Sequence, residues 1–187
     1  MQKVVSARAF TYSKHLTFTA VFAALCCVGT LIVHIPLPNG YLNTGDVFVL
    51  LAGWFLGPLY GAVAAGVGSA LADIISGYAV YAPATFFIKA AVALCAFFLC
   101  SLLKKAIKKD GLDFLPRLTS ALVAECVMVL GYLIYESFLY GFAGALSAVV
   151  GNLTQGAVCL ALATILFSML YPIRPVRRFF PALNNNQ

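Results

Sequence analysis

The chain is written in long apolar runs, broken by proline, glycine and short polar stretches. The first run, from Leu16 to His34, predicts a helix that Pro36 and Pro38 stop, and Ile35 to Gly45 (IPLPNGYLNTG) follows as a loop with Asn-Gly turn chemistry. Asp46 is placed to cap a second helix that reaches only Leu56 before Gly57-Pro58. At about 18 Å that helix falls short of the roughly 30 Å hydrocarbon core, so the loop before it is expected to dip into the protein and roof a cavity. A third helix runs from Leu59 to Ser76, a tyrosine-bearing loop (Gly77 to Ala82) follows, and Pro83 opens a fourth helix that continues to Leu103. After the charged stretch KKAIKKDGLDFLPR come a fifth helix, Leu118 to Tyr140, a Gly-Phe-Ala-Gly turn and a sixth helix, Ala145 to Tyr171. The expected fold is an all-α integral membrane protein, one domain over residues 1–187 with six transmembrane helices.

Small residues crowd the second and third helices at four-residue spacing: Gly53, Gly57, Gly61 and Ala65, and again Ala64, Gly68 and Ala72. In water such glycines weaken a helix, whereas in lipid they let neighbouring backbones approach closely. Composition agrees with a bilayer as solvent: 63% of the residues are hydrophobic, 10% are charged, and the mean hydropathy is +0.97. The lipid bilayer is therefore a partner of the chain. The net charge of +6 does not point to nucleic acid, because the basic residues flank apolar spans and do not gather into a phosphate-reading patch.

Alternating the helices across the membrane places the N-terminal segment (Lys3, Arg8, Lys14), the 57–58 turn, the 104–117 stretch and the tail (Arg174, Arg177, Arg178) on one side. Of the 12 Lys and Arg residues only Lys89 falls elsewhere, so both termini are expected in the cytoplasm of a bacterial cell. Residues 1–15 read as an interfacial segment. Without a small-residue cleavage site, the first helix is expected to be retained. The six cysteines all lie in apolar runs and read as small buried hydrophobes. His15 and His34 have no second ligand nearby, so no metal site is expected. No nucleophile–base pair appears and no GxxxxGKS or GxxxxGKT occurs, so the sequence offers no catalytic residue, no cofactor site and no P-loop ATPase of its own.

The polar residues that remain gather towards the side opposite the basic one. Lys89 lies about 9 Å inside the fourth helix; Tyr132 and Glu136 share a face of the fifth, with Tyr135 beside them. Asn152 and Gln155 share a face of the sixth, and the loops add Tyr41, Asn43, Asp46, Tyr78 and Tyr81. Amides, aromatics and a few charges in an apolar setting suit a small heteroaromatic ligand, stacked on tyrosine and read by hydrogen bonds at its edge. The candidate substrate-binding residues are Tyr41, Asn43, Tyr81, Lys89, Tyr132, Glu136, Asn152 and Gln155. Bland roles stay open: Lys89 paired with Glu136 or Asp73, Asp46 as a helix cap, Asn152 and Gln155 as interhelical glue, Tyr78 and Tyr81 in an aromatic belt. Glu125, placed far from this cluster, reads as structural.

The blocks NTGD (43–46), GPLYGA (57–62), LADIISGY (71–78) and APATFFIK (82–89) resemble the S components of energy-coupling factor (ECF) vitamin transporters, closest to the branch for riboflavin, hydroxymethylpyrimidine and pyridoxine. The likeness is close over the first four helices and is one of size and placement over the last two. It implies a membrane protein that captures a small-molecule vitamin on the outer face and docks on a shared module of one transmembrane coupling subunit and two ATPases. The family's Ala-x-x-x-Ala docking signature is matched by Ala20 and Ala24, and Ala23 and Cys27 extend that face. The branch favours a single-ring vitamin, hydroxymethylpyrimidine or pyridoxine, with riboflavin as the alternative. The rival functions are a stand-alone proton-coupled carrier working through Asp73, Lys89 and Glu136, and a membrane-embedded partner with no ligand.

Overall fold

The computed structural model describes residues 2–33, 35–37, 40–107 and 114–180. Its elements are α1 (Gln2–Ile32), a hairpin of β1 (Ile35–Leu37) and β2 (Gly40–Leu42), α2 (Gly45–Leu56), α3 (Pro58–Ile75), α4 (Ala82–Ala106), α5 (Phe114–Leu170) and α6 (Arg174–Phe179). The Ser13–Ile32 part of α1, α3, α4 and α5 are long and apolar enough to cross a membrane. The sequence-predicted His34 and Pro38, the centre of the charged 104–117 stretch and the polar end of the tail lie outside the described residues.

The first loop and the two ends of the chain depart from the sequence expectation. The first helix extends back to Gln2, because residues 2–15 hold no proline or glycine to stop it. The loop after it is a two-stranded antiparallel hairpin in which Pro36 faces Tyr41. Proline is tolerated there because the pair has nothing but edges. The tail folds into a short helix, α6, whose following residue Phe180 packs on Phe18 with ring centroids 4.8 Å apart and on Phe55 at 5.0 Å.

α5 is 57 residues long, yet its two arms fold back on each other at Gly141, whose φ of 75° and ψ of 160° break the helical path. A side chain is rarely found at that φ, which glycine adopts freely. The antiparallel course shows in the contacts: Gly156 lies against Glu125, and the Arg117 guanidinium stands 4.2 Å from the Phe167 ring centroid. The expected four-residue turn thus contracts to a single non-helical residue. Arg117, placed by its sequence among the loop charges, is buried over Phe167 and Tyr171.

At the centre stands α2. Its sequence, GDVFVLLAGWFL, is apolar all round, and every residue except Phe48 is buried. A helix with no polar face has to be enclosed, and α1, α3, α4 and α5 enclose it. Small residues allow the close approach. A methyl group on Gly53 would meet the backbone of Ala93 in α4; one on Gly68 of α3 would meet the Ala23 carbonyl and Cys26 of α1. Gly57, at φ 82°, turns α2 directly into α3, with Pro58 opening the new helix. Cys26, Cys100 and Cys159 are buried in this packing as expected, Cys27 and Cys95 are half-buried, and Cys126 faces outwards.

One ion pair crosses the core. The Lys89 ammonium of α4 lies 2.6 and 2.8 Å from the two carboxylate oxygens of Asp46, at the start of α2, with both residues buried. Asp46 therefore does not cap its helix: Thr44 occupies the N-cap position, and no side-chain cap bond forms. Lys89 pairs with neither Glu136 nor Asp73 but with a carboxylate 43 positions away.

Two measurements test this architecture. Gly68→Val should lower folding stability by about 1–3 kcal/mol, read as a lower thermal midpoint in detergent, because the added methyls strike a backbone that cannot retreat. Val67→Ala, on the exposed side of the same helix, should change it little. Lys89→Met should cost about 3–5 kcal/mol by leaving a buried carboxylate unpaired, and adding Asp46→Asn should recover most of that loss in the same assay.

Candidate functional site

The hairpin lies at the end of the bundle where α2 and α4 begin, and three tethers hold it there. The Tyr41 hydroxyl donates to Asp73 of α3 at 2.6 Å, the Asn43 backbone N–H donates to Gln155 Oε1 of α5 at 2.9 Å, and the Thr44 hydroxyl donates to the Gly29 carbonyl of α1 at 2.9 Å. Asn43 also folds its side-chain oxygen onto the Gly45 N–H, which leads the chain into α2.

Beneath the hairpin is a cavity of about 40 Å³ lined by Tyr41, Asn43, Asp73, Tyr78, Tyr81, Thr85, Tyr132, Glu136, Ala148, Asn152 and Gln155. The tyrosines form a continuous wall. Tyr41 meets Tyr78 at 5.0 Å between centroids, Tyr78 meets Tyr81 edge-on at 6.2 Å, and Tyr81 meets Tyr135 at 5.6 Å. The Tyr81 hydroxyl bonds that of Tyr140 at 3.3 Å, and burial, with this bond, raises the Tyr81 pKa. Thr85 and Tyr132 share a hydroxyl–hydroxyl bond of 3.0 Å. Tyr78 and Tyr81 belong to this wall and not to a belt around the outside of the bundle.

Seven of the eight sequence-predicted binding residues come together here, from elements far apart in the chain: Tyr41, Asn43, Tyr81, Tyr132, Glu136, Asn152 and Gln155. Lys89 does not line the cavity. Its ammonium sits behind the Tyr132 ring, 5.3 Å from the centroid, and is held by Asp46. Asp73, Tyr78, Thr85 and Ala148 complete the lining although the sequence did not single them out as binding residues. For Thr85 the signal was its position one turn before Lys89 on the same helix face.

The lining side chains divide by what they are already doing. Gln155 is fully engaged: its Nε2 donates to Asp46 at 2.6 Å while its Oε1 accepts from Asn43. Asn152 is buried, and among the described residues its side-chain amide makes no hydrogen bond. Glu136 is 2% exposed, and its Oε2 has no hydrogen-bond partner among the described residues. Buried polar atoms left in this state cost free energy unless something else satisfies them. Chemically the lining carries what a flat polar ring would use once the cavity opens to admit it: aromatic rings to stack on, an amide and a carboxyl group. Glu125, set apart in the sequence as structural, is also buried, packed on Gly156, with both oxygens unbonded among the described residues; it does not reach the cavity lining. No group of three or more metal-ligating side chains occurs among the described residues.

Ala20 and Ala24, the sequence-predicted docking pair, are both exposed on α1. Ala23, expected to widen the same face, packs its backbone against Gly68 of α3 and belongs to the interior contact.

The family model described as "ECF-type riboflavin transporter, S component" matches residues 11–172, from the membrane-length part of α1 to the end of α5. The chain is also 36% identical over 130 residues to a Pyrococcus woesei protein described as "Uncharacterized protein in gap 3'region", a match that takes in 68% of this chain and 82% of that protein. The matched family consists of multi-pass membrane subunits of vitamin transporters and is not a class of enzymes. With nearly all of the helical bundle inside the match, this chain belongs to the S components of ECF-type transporters.

Proposed function

We propose that this chain captures a small single-ring heterocyclic vitamin or vitamin precursor, hydroxymethylpyrimidine or a B6 vitamer, in the tyrosine-walled cavity and delivers it through a module of one coupling subunit and two ATPases. The observation that carries this reading is Glu136 Oε2, a buried carboxyl oxygen with no hydrogen-bond partner among the described residues, on a side chain that lines the tyrosine-walled cavity together with Asn152. The family description names riboflavin. The choice of a single ring rests on fit: the cavity, about 40 Å³ as it stands, has to open for any ring, and a three-ring flavin would have to displace far more of the wall than a single ring.

Topology supports capture from outside. With the two arms of α5 antiparallel, the bundle makes six passes, counting the short α2 together with its hairpin. The described basic residues Lys14, Lys104, Arg117, Arg174 and Arg177 then collect at the end carrying α6, which the positive-inside tendency places in the cytoplasm. The hairpin and cavity face outwards. Ala20 and Ala24 leave a shallow strip on the lipid-exposed side of α1 where a helix of the coupling subunit can approach closely.

Ligand binding and transport should separate by mutation. Asn152→Ala should weaken vitamin binding to the purified protein by about 1–3 kcal/mol, measured calorimetrically, with folding intact. Ala20→Trp or Ala24→Trp should leave that affinity nearly unchanged and abolish ATP-dependent uptake in vesicles containing the coupling subunit and ATPases. Accumulation of the vitamin by the chain reconstituted alone would instead establish the self-sufficient carrier.

A further inference from the structure

At the basic end of the bundle, where α6 and the residue after it pack on α1 and α2, two cavities adjoin. One, of about 560 Å³, is lined by Lys14 of α1 and by Arg174, Pro175 and Phe179 of α6. The other, of about 290 Å³, is lined chiefly by His15, Phe18, Phe55, Tyr60, Phe97 and Phe180, and Phe179 belongs to its wall as well. Phe179 is thus the partition between them. The Lys14 ammonium stands 5.8 Å from its ring centroid on one side, and Phe18 meets it at 6.2 Å.

The two cavities differ in chemistry. The first presents a lysine and an arginine, both exposed. Among the described residues the acids are Asp46, Asp73, Glu125 and Glu136, and none of them lines either cavity. Such a pair suits a phosphate, which arginine meets with a planar fork of donors and lysine as a point charge. The second presents aromatic carbon, with the His15 imidazole stacked on Tyr60 at 4.8 Å between centroids. A basic surface alone, or an apolar hollow alone, names no ligand. Sharing a wall, they match a molecule with an anionic head and an apolar tail, whereas a free phosphate would use only the first.

Depth agrees with a lipid. Lys14 lies at the start of the membrane-length part of α1, Ser13–Ile32, and Arg174 follows closely on the end of α5 at Leu170, so both stand at head-group level. The hollow reaches farther in: Phe18 is about one turn beyond Lys14, and Phe97 about two turns before the end of α4 at Ala106.

We infer that this double cavity binds an anionic phospholipid of the cytoplasmic leaflet, its phosphate between Lys14 and Arg174 and an acyl chain in the aromatic hollow. Only the choice of leaflet rests on the topology proposed above; the site is independent of the vitamin. Bound there, the lipid joins α1 to α6 and braces the tail helix against the base of the bundle. Each basic residue near an anionic head group strengthens attachment by about fivefold.

The test uses the purified full chain in a neutral detergent. The probes are dioleoyl phosphatidylglycerol and dioleoyl phosphatidylcholine, which differ only in head group, and glycerol 3-phosphate, a head group without chains. Native mass spectrometry reads what is retained, and the thermal midpoint reads its effect on folding. Phosphatidylglycerol should be retained about tenfold or more over phosphatidylcholine and should raise the midpoint, while glycerol 3-phosphate at the same concentration should do neither. Lys14→Gln with Arg174→Gln should remove most of that preference. Lys104→Gln with Lys105→Gln, which takes the same charge from the end of α4 outside both cavities, should keep it. The comparison of lipids on the unmodified chain decides the matter even where a variant fails to fold. Equal retention of the two lipids, glycerol 3-phosphate as effective as the lipid, or equal losses in the two paired variants overturns the inference. So does a photoreactive phenylalanine analogue in place of Phe179 that, in membranes, labels the coupling subunit or a second copy of the chain and no lipid.

Discussion

Asp46 is the point on which this structure turns. In a helical bundle that sits in lipid, a buried carboxylate has no water to fall back on, and every one of its lone pairs has to be met by the protein. Asp46 meets Lys89 from α4 with both oxygens and the Gln155 amide from α5 with one. Gln155 then takes the backbone N–H of Asn43, just before α2. One carboxylate thereby fixes the relative positions of α2, α4, the second arm of α5 and the end of the hairpin. The alternative, a wholly apolar junction, would pack as well but would specify less: small apolar faces can slide, whereas a hydrogen-bonded ion pair permits a single register. A buried pair is poor evidence of net stability; here its consequence is position, because the cavity is bounded by the elements it holds together.

The helices were legible in the sequence because lipid imposes a coarse rule, long apolar runs with breaks, and because Gly57-Pro58 and Pro83 mark their boundaries unambiguously. The shortness of α2 was legible as well, and with it the need for the preceding chain to enter the protein. What that chain does there was not. Strands of three residues are too short for a period to declare itself, and a hairpin reads as a loop. α6 was hidden for a related reason: Arg174, Arg177 and Arg178 mark a membrane edge by charge whether or not they are helical, and the aromatic contact that holds Phe180 against Phe18 and Phe55 joins distant segments.

Most of the residues that line the cavity were legible as a set, since polar side chains in a lipid-solvated chain are few and each has to face something. Their partners were not. Nothing in the spacing tells Asp46 from Asp73 or Glu136 as the mate of Lys89, and an acidic residue at the start of a helix has an ordinary explanation as a cap. The choice is made by depth. Asp46 lies deep enough to meet a lysine from α4 only because Gly53 lets α2 lie against Ala93, so the pairing is a consequence of backbone approach and invisible to a reading of charges. The same applies to α1, where Ala20 and Ala24 remain exposed while Ala23, one residue from Ala24, is spent on Gly68. Neighbouring alanines on one helix serve opposite faces.

This division of labour bears on how the cavity would work. Gln155 lines it but is engaged at both ends of its amide, and Lys89 stands behind Tyr132, engaged by Asp46; a ligand competing for either would loosen the junction that shapes the site. Among the described residues, Asn152 and Glu136 take no part in that junction. They sit on the two arms of α5, which meet only at Gly141 and through their packing. On the proposed function, a ligand bridging them would tie the arms together across the cavity while the Asp46 junction stays intact beneath. Binding energy would then draw the α5 arms towards the hairpin side without disturbing the α1 face that carries Ala20 and Ala24. Capture and docking would in that case use separate surfaces, joined through the rigid core that α2 and its ion pair provide.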